Sequence, residues 1–251
     1  MGLTSHRRRY IRPHVSRWLI ISAACCFLCI VCLLVLTRMT PAAENRVIAL
    51  TFRPYEASVP QAVTPVASAD SLMFLSEPPI ATGKMILFKK QNDTEPWVYA
   101  GFQSQGDPIL YDVGPISYGD LASSPVDVTS SGALGKSTIR LTGACGANCP
   151  LTSYLTVEHH VPSVWLNLEA HAVETDLDGD AVVGTLAETS ILRMEQGQLL
   201  VASLNRELDA MAVTFMPETQ VFAVDYLSRE KKPEIFRNES GRLRYIRNYL
   251  M

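Results

Sequence analysis

The run Asp176-Leu177-Asp178-Gly179-Asp180 holds the densest set of chemistry-bearing side chains in this 251-residue sequence. Alternating aspartates around a glycine-permitted turn can aim three carboxylates at one hard cation, and Ca²⁺ takes about six to eight oxygen ligands. Asp176, Asp178 and Asp180 are therefore the candidate metal ligands, for a weak Ca²⁺ site. The EF-hand spacing is not met, because Ala181 stands at its glycine position and Ala187 at its bidentate-glutamate position. Further ligands would have to come from backbone, water or a neighbour such as Glu188. The alternative is a polar turn without a metal.

Cys145 and Cys149 are the only cysteines beyond residue 32. In an oxidising exterior such a pair, bracketing Gly146 and Asn148, can close a tight turn as a disulfide. A free dithiol, or half a zinc site with His159 and His160, are the other uses of these residue types. Adjacent histidines on a strand point to opposite faces, so His159 and His160 do not readily converge on one metal. Solvated turn residues are the plainer reading of both.

Three other motifs fall short of a reaction. Ser130-Ser131-Gly132-Ala133-Leu134-Gly135-Lys136-Ser137 has serine where a P-loop begins with glycine, and it runs on into STIRLTGAC, which is β-prone rather than helical. Gly101–Gly106 reads GFQSQG, which lacks the G-x-S-x-G spacing of a nucleophile elbow. Ser228-Arg229-Glu230-Lys231 matches S-x-x-K in a charged loop before Pro233, without the partner motifs of a penicillin-binding site. No catalytic residue is assigned. A hydrolase would have to assemble its site from dispersed carboxylates, which sequence spacing alone does not reveal.

The elements that would position these residues are short and β-rich. MILFKK (85–90), WVYAGF (97–102), ILYDVG (109–114), VDVT (126–129), STIRLTGA (137–144), SYLTVE (153–158) and VWLNLEA (164–170) come first. HAVET (171–175), AVVGTL (181–186), TSILRME (189–195), QLLVASL (198–204), MAVTFM (211–216), TQVFAVDYL (219–227) and RLRYIRN (242–248) come next, with NRELDAM (205–211) the one short helical candidate. Residues 126–144 can be laid over 171–189, strand for strand and loop for loop, at an offset of 45. A unit of about 45–50 residues is the size of one propeller blade. The expected fold is all-β, with short antiparallel strands in a propeller-like or sandwich arrangement.

The chain is 47% hydrophobic and 19% charged, a globular composition. Its charge is uneven. Residues 1–36 hold five arginines and no acid, which leaves the remainder with 17 basic and 25 acidic residues. That acidic balance disfavours nucleic acid as a partner. Residues 18–36 form nineteen uncharged residues in a row. As a helix they would span roughly 28 Å, close to the hydrocarbon thickness of a bilayer.

A cleaved signal peptide would have a shorter apolar core, and a lipoprotein signal would not continue beyond Cys25 for eleven residues. The run reads as a signal-anchor in the lipid bilayer, and the preceding arginines keep the N-terminus cytoplasmic. The expected organisation is a cytoplasmic basic tail (1–17), a transmembrane helix (18–36), a Pro-rich stem with one strand at 47–52 (37–79), and an extracellular β-domain (80–251). Cys25, Cys29 and Cys32 share one helix face and read as packing residues. Arg237, Arg242, Arg244, Tyr245, Arg247 and Tyr249 make a basic-aromatic patch. It is either a strand with solvated arginines or a contact for anionic wall polymer or membrane.

Residues 175–205, TDLDGDAVVGTLAETSILRMEQGQLLVASLN, resemble the DLDGDG…G-x-L segments of extracellular FG-GAP/VCBS-type β-propeller repeats. In that repeat class the aspartates bind metal between two strands of a blade. Here Ala181 replaces the second glycine and Gly184 the closing acid. GKMILFKK…WVYAGF (83–102) and LTGACGANC (141–149) look like parts of secreted or membrane-anchored proteins of spore-forming Gram-positive bacteria. The resemblance implies an extracellular β-domain of unassigned role. With the charge asymmetry and the Pro-rich stem, the expected function is a binding or structural role at the cell surface, with the Asp loop either stiffened by calcium or metal-free, and a surface hydrolase is the rival.

Overall fold

The computed structural model describes residues 46–56, 61–67, 72–80, 83–177, 184–228 and 230–248. The expected cytoplasmic tail and transmembrane run (1–36) lie outside them, as do Asp178, Asp180, Arg229 and Tyr249. Among the described residues no helix is long and apolar enough to cross a membrane.

An N-terminal segment carries four small strands: β1 (Val47–Ala49), β2 (Arg53–Pro54), β3 (Gln61–Ala62) and β4 (Thr64–Pro65). Four antiparallel meanders succeed it in chain order. The first sheet is built from β5 (Leu72–Ser76), β6 (Pro79–Ile80), β7 (Gly83–Lys90), β8 (Trp97–Ser104) and β9 (Leu110–Tyr118). The second holds β10 (Asp127–Ser131), β11 (Thr138–Ala144), β12 (Pro150–Glu158) and β13 (Val161–Leu168). The third holds β14 (Ala172–Thr175), β15 (Gly184–Ala187), β16 (Ser190–Glu195) and β17 (Gln198–Ser203). A one-turn helix, α1 (Leu204–Leu208), leads into the fourth, with β18 (Ala212–Met216), β19 (Val221–Asp225), β20 (Glu234–Glu239) and β21 (Arg242–Asn248).

The all-β expectation is met, and the internal repeat has a structural meaning. Shifting the start of β10 by 45 residues lands on the start of β14, so the two aligned segments are the opening hairpins of consecutive sheets.

The residues expected to be a stem do more than space the domain. β1 pairs with β21, β2 with β17, β3 with β13 and β4 with β9. One segment therefore adds a fifth strand to the fourth, third and second sheets in turn, and a sixth to the first. Proline suits this position because an edge strand needs only half of its backbone groups paired, and Pro54 and Pro65 each sit in such a strand. Only Val63 separates β3 from β4. Pairing residues three apart, such as Ala62 and Pro65, reach about 10 Å, the ordinary spacing of stacked sheets.

Three apolar cores lie between consecutive sheets. Met85, Val98, Phe102, Leu141 and Leu155 join the first sheet to the second. Tyr154, Leu166, Leu168, Leu192 and Leu199 join the second to the third. Leu186, Ile191, Phe222, Phe236 and Leu243 join the third to the fourth. Neighbouring residues of the middle sheets feed opposite cores: Tyr154 and Leu155 on β12, Ile191 and Leu192 on β16. Side chains alternate along a strand, so a sheet buried on both faces reads as a continuous apolar run. All three cores and every described strand pair lie within 46–251, which forms one compact unit.

The N-terminal segment is fastened by side chains as well as backbone. Ile48, Leu50 and Phe52 pack on the third core and Tyr55 on the second. The Arg46 guanidinium pairs with Glu234 and sits 5.1 Å from the Phe236 ring centre and 5.4 Å from that of Tyr245. Arg193 stacks 3.8 Å from the Phe52 ring centre.

Candidate functional site

A cleft of about 620 Å³ opens where β7 begins and β8 ends. Gly83 and Lys84 face Ser104 and Gln103 across the β7–β8 ladder. A Cβ on Gly83 would lie 2.4 Å from the Gln103 carbonyl oxygen, so only glycine allows this approach. The turn after β8 closes the wall. Gly106 has φ +81°, the Asp107 N–H donates to the Ser104 carbonyl at 3.1 Å, and the Ile109 N–H donates to Asp107 Oδ1 at 2.9 Å. Gln103, Gln105, Asp107 and Lys84 give the cleft both donors and acceptors, with Lys84 paired to Glu77 at 3.0 Å.

Behind this wall Ser104, 4% exposed, holds its Oγ 2.8 Å from His160 Nδ1. The histidine arrives from the second sheet. Glu158 pairs with Val161, so His159 and His160 are the two central residues of the β12–β13 hairpin, with φ +51° and +70°. Both positive values match the twist of a two-residue hairpin turn. The two histidines are exposed turn residues, and His160 in addition ties the second sheet to the first. A serine hydroxyl facing an imidazole is the geometry of an activated nucleophile. Among the described residues no carboxylate hydrogen-bonds His160 to orient it. This contact was not anticipated, because 56 residues separate the partners. The available signal was the two-residue link between strands ending at Glu158 and restarting at Val161.

The aspartate loop leaves β14 at Thr175 and returns at Gly184, which are paired, so it connects the first two strands of the third sheet. Asp176 is described and half-buried. Asp178 and Asp180 lie outside the described residues, and with them any convergence of the three carboxylates. Among the described residues no group of three His, Cys, Asp or Glu side chains forms a metal cluster. The buried Leu177 offers its carbonyl to Asn238 Nδ2 at 3.3 Å. Asn238 is 7% exposed and its Oδ1 has no hydrogen-bond partner among the described residues. Leu177, Asn238 and Glu218 line a common cleft of about 440 Å³.

Cys145 and Cys149 are disulfide-bonded across a tight turn after β11, with Cα atoms 5.0 Å apart. The Cys145 N–H donates to the Cys149 carbonyl at 2.7 Å, so the backbone closes the same turn. His171 and Glu188, not His159 or His160, border this loop, in a cleft of about 280 Å³. The P-loop-like segment forms a short 3₁₀ turn, Ala133–Gly135, and then strand β11, with Leu134 buried at φ +57°. It presents no helix N-terminus to a phosphate.

Among the described residues, two carboxyls depart downward from the usual range. Asp93 is lowered chiefly by the hydroxyl of Tyr99, and Asp120 by the backbone N–H of Ser123. Folding therefore favours their charged forms, so their contribution is present at neutral pH and is lost as pH falls through their depressed values. A general acid needs the opposite shift. Buried Tyr154 and half-buried Tyr226 are raised above the ordinary phenol value, chiefly by desolvation. The chain matches no protein-family model and no curated protein.

Proposed function

We infer that this protein is a membrane-anchored binding module, presenting a stack of β-sheets outside the cell. The observation that carries it is the charge asymmetry around the nineteen uncharged residues 18–36, with five arginines before the run and only Arg38 close behind it. It is supported by the disulfide loop at 145–149, a bond at home in an oxidising compartment. The cleft beside Ser104, with its mixed donors and acceptors, suits a small polar ligand better than an extended apolar one. Successive antiparallel meanders, packed through a core between each consecutive pair, support the likeness to propeller-type repeats. The sheet-to-sheet order of the cores favours a stacked array over a single two-sheet sandwich.

Alkaline carbonate extraction tests the anchor. The full chain stays in the membrane pellet, whereas a chain starting at Arg46 appears in the supernatant. Release of the full chain would remove the anchor from this reading.

Calcium belongs to the same proposal. Asp176, Asp178 and Asp180 would supply carboxylates, and Asn238 Oδ1 and Glu218 stand at the foot of their loop. Titration calorimetry of residues 46–251 with Ca²⁺ should give heat that Asp178→Ala abolishes; identical traces for both would exclude the metal.

A surface hydrolase is the second reading, favoured by the Ser104–His160 contact rather than by converging carboxylates. Ser104→Ala separates the two. It would abolish turnover of an activated ester by a hydrolase, and would leave a trace background rate unchanged in a binding module.

A further inference from the structure

The geometry points to the outer face of the fourth sheet as a docking surface for anionic lipid headgroups. This rests on the membrane-anchor reading for its setting, though not for its test. The first observation is where the described chain begins. Arg46 is fixed to the fourth sheet by Glu234 and by the Phe236 and Tyr245 rings. Nine residues, 37–45, separate it from the uncharged run. Ten residue steps reach at most about 35 Å, which bounds how far Arg46 can stand from the uncharged run.

The second observation is the face itself. Leu243 and Tyr245 turn into the third core, which directs Arg242 and Arg244 to the opposite face of β21. The register places Val47, Arg244, Arg237 and Val221 in one row across four strands. Arg237, Arg242 and Arg244 are exposed, and beneath them Val221 and Ile235 are buried at 6% and 3%. Exposed Val47 and Ile246, at 43% and 38%, lie beside the arginines. Guanidinium groups over an apolar floor suit the headgroup layer, where long cationic side chains keep their stems dry and their heads in water. Glu239, 3.0 Å from Arg244 Nε, neutralises part of the row but not all of it.

The third observation is global. Residues 212–251 hold seven Lys+Arg against five acids, whereas residues 72–211 hold seven against seventeen. An anionic surface therefore attracts one end of the stack and repels the rest, which orients the domain as well as holding it. Of the two contacts the basic patch suggests, the bilayer is favoured over wall polymer by the short tether.

Residues 46–251, which contain every described core, can be sedimented with vesicles independently of the anchor. Vesicles containing phosphatidylglycerol should carry the domain down, and pure phosphatidylcholine vesicles should not. Replacing Arg237→Gln, Arg242→Gln and Arg244→Gln together should lower partitioning roughly 100-fold, from about fivefold per surface arginine. Lys84→Gln with Lys136→Gln should change it less than about threefold. A urea midpoint within error of the parent shows that the triple variant is folded; if it is not, the single charge reversal Arg237→Glu serves instead. Equal partitioning of parent and arginine variants would overturn the proposal. So would an absence of binding to anionic vesicles, or pelleting with wall polymer in preference to them. An anchor that fails carbonate extraction, with vesicle binding intact, would overturn the setting and leave this surface standing.

Discussion

A chain lacking residues 46–67 is expected to lose the folded state and to aggregate. The segment supplies an edge strand to all four sheets, so its removal bares the backbone edges of β9, β13, β17 and β21 at once. Unprotected strand edges are templates for pairing with other chains. It also withdraws Ile48, Leu50 and Phe52 from the third core and Tyr55 from the second. Each half-buried side chain contributes on the order of 1–1.5 kcal/mol, so together they amount to about 5 kcal/mol. That equals the whole stability of a marginal domain. Size-exclusion chromatography and urea unfolding of chains starting at residue 46 and at residue 68 make the comparison. A monomeric, cooperatively unfolding short chain with an unchanged midpoint would reduce the segment to the stem that its prolines suggest.

Gly143→Val is expected to cost about 3 kcal/mol or more, the upper range for overpacking. Gly143 lies on β11, where it meets Ile116 of β9, and a Cβ there would come within 2.1 Å of the Ile116 carbonyl oxygen. The obstacle is backbone, which cannot rotate away as a flexible side chain would. Either the first two sheets separate, opening the core of Val98, Leu141 and Leu155, or β11 shifts its pairing with β12. Gly132→Ala makes the contrast. Gly132 has φ −108° and open space around its would-be Cβ, so its substitution should stay within about 0.5 kcal/mol. Urea midpoints at unchanged m-value measure both. Equal small shifts for the two variants would mean that the sheets do not approach here as described.

Strands with strong alternation or continuous apolar runs were legible from sequence because burial writes them directly. WVYAGF lies in β8 and RLRYIRN is β21, and SYLTVE is the end of β12, whose Tyr154 and Leu155 serve two cores. β20 was not legible. Its sequence EIFRNE comes after Lys231-Lys232-Pro233 and shows only Ile235 and Phe236 as apolar signal, yet both are buried. Of the N-terminal strands, β1 lies inside the one expected at 47–52, whereas β2, β3 and β4 were hidden by their length of two residues and by proline. They exist because long meanders present an edge, a reason that lies elsewhere in the chain. The cleft beside Ser104 was invisible for a related cause. It depends on a glycine permitting close approach across a ladder and on a histidine delivered from another sheet. The basic patch was legible in composition, but its orientation required the register of β21 against β1 and β20.

The central claim is that residues beyond 46 stand outside the cell on an anchor. Protease added to intact cells, with an antibody against the C-terminal end as readout, addresses it most directly. Full-length protein is expected to disappear without lysis, while a cytoplasmic marker survives in the same cells. Persistence of the intact chain until the cells are broken, with prompt cleavage thereafter, would contradict it.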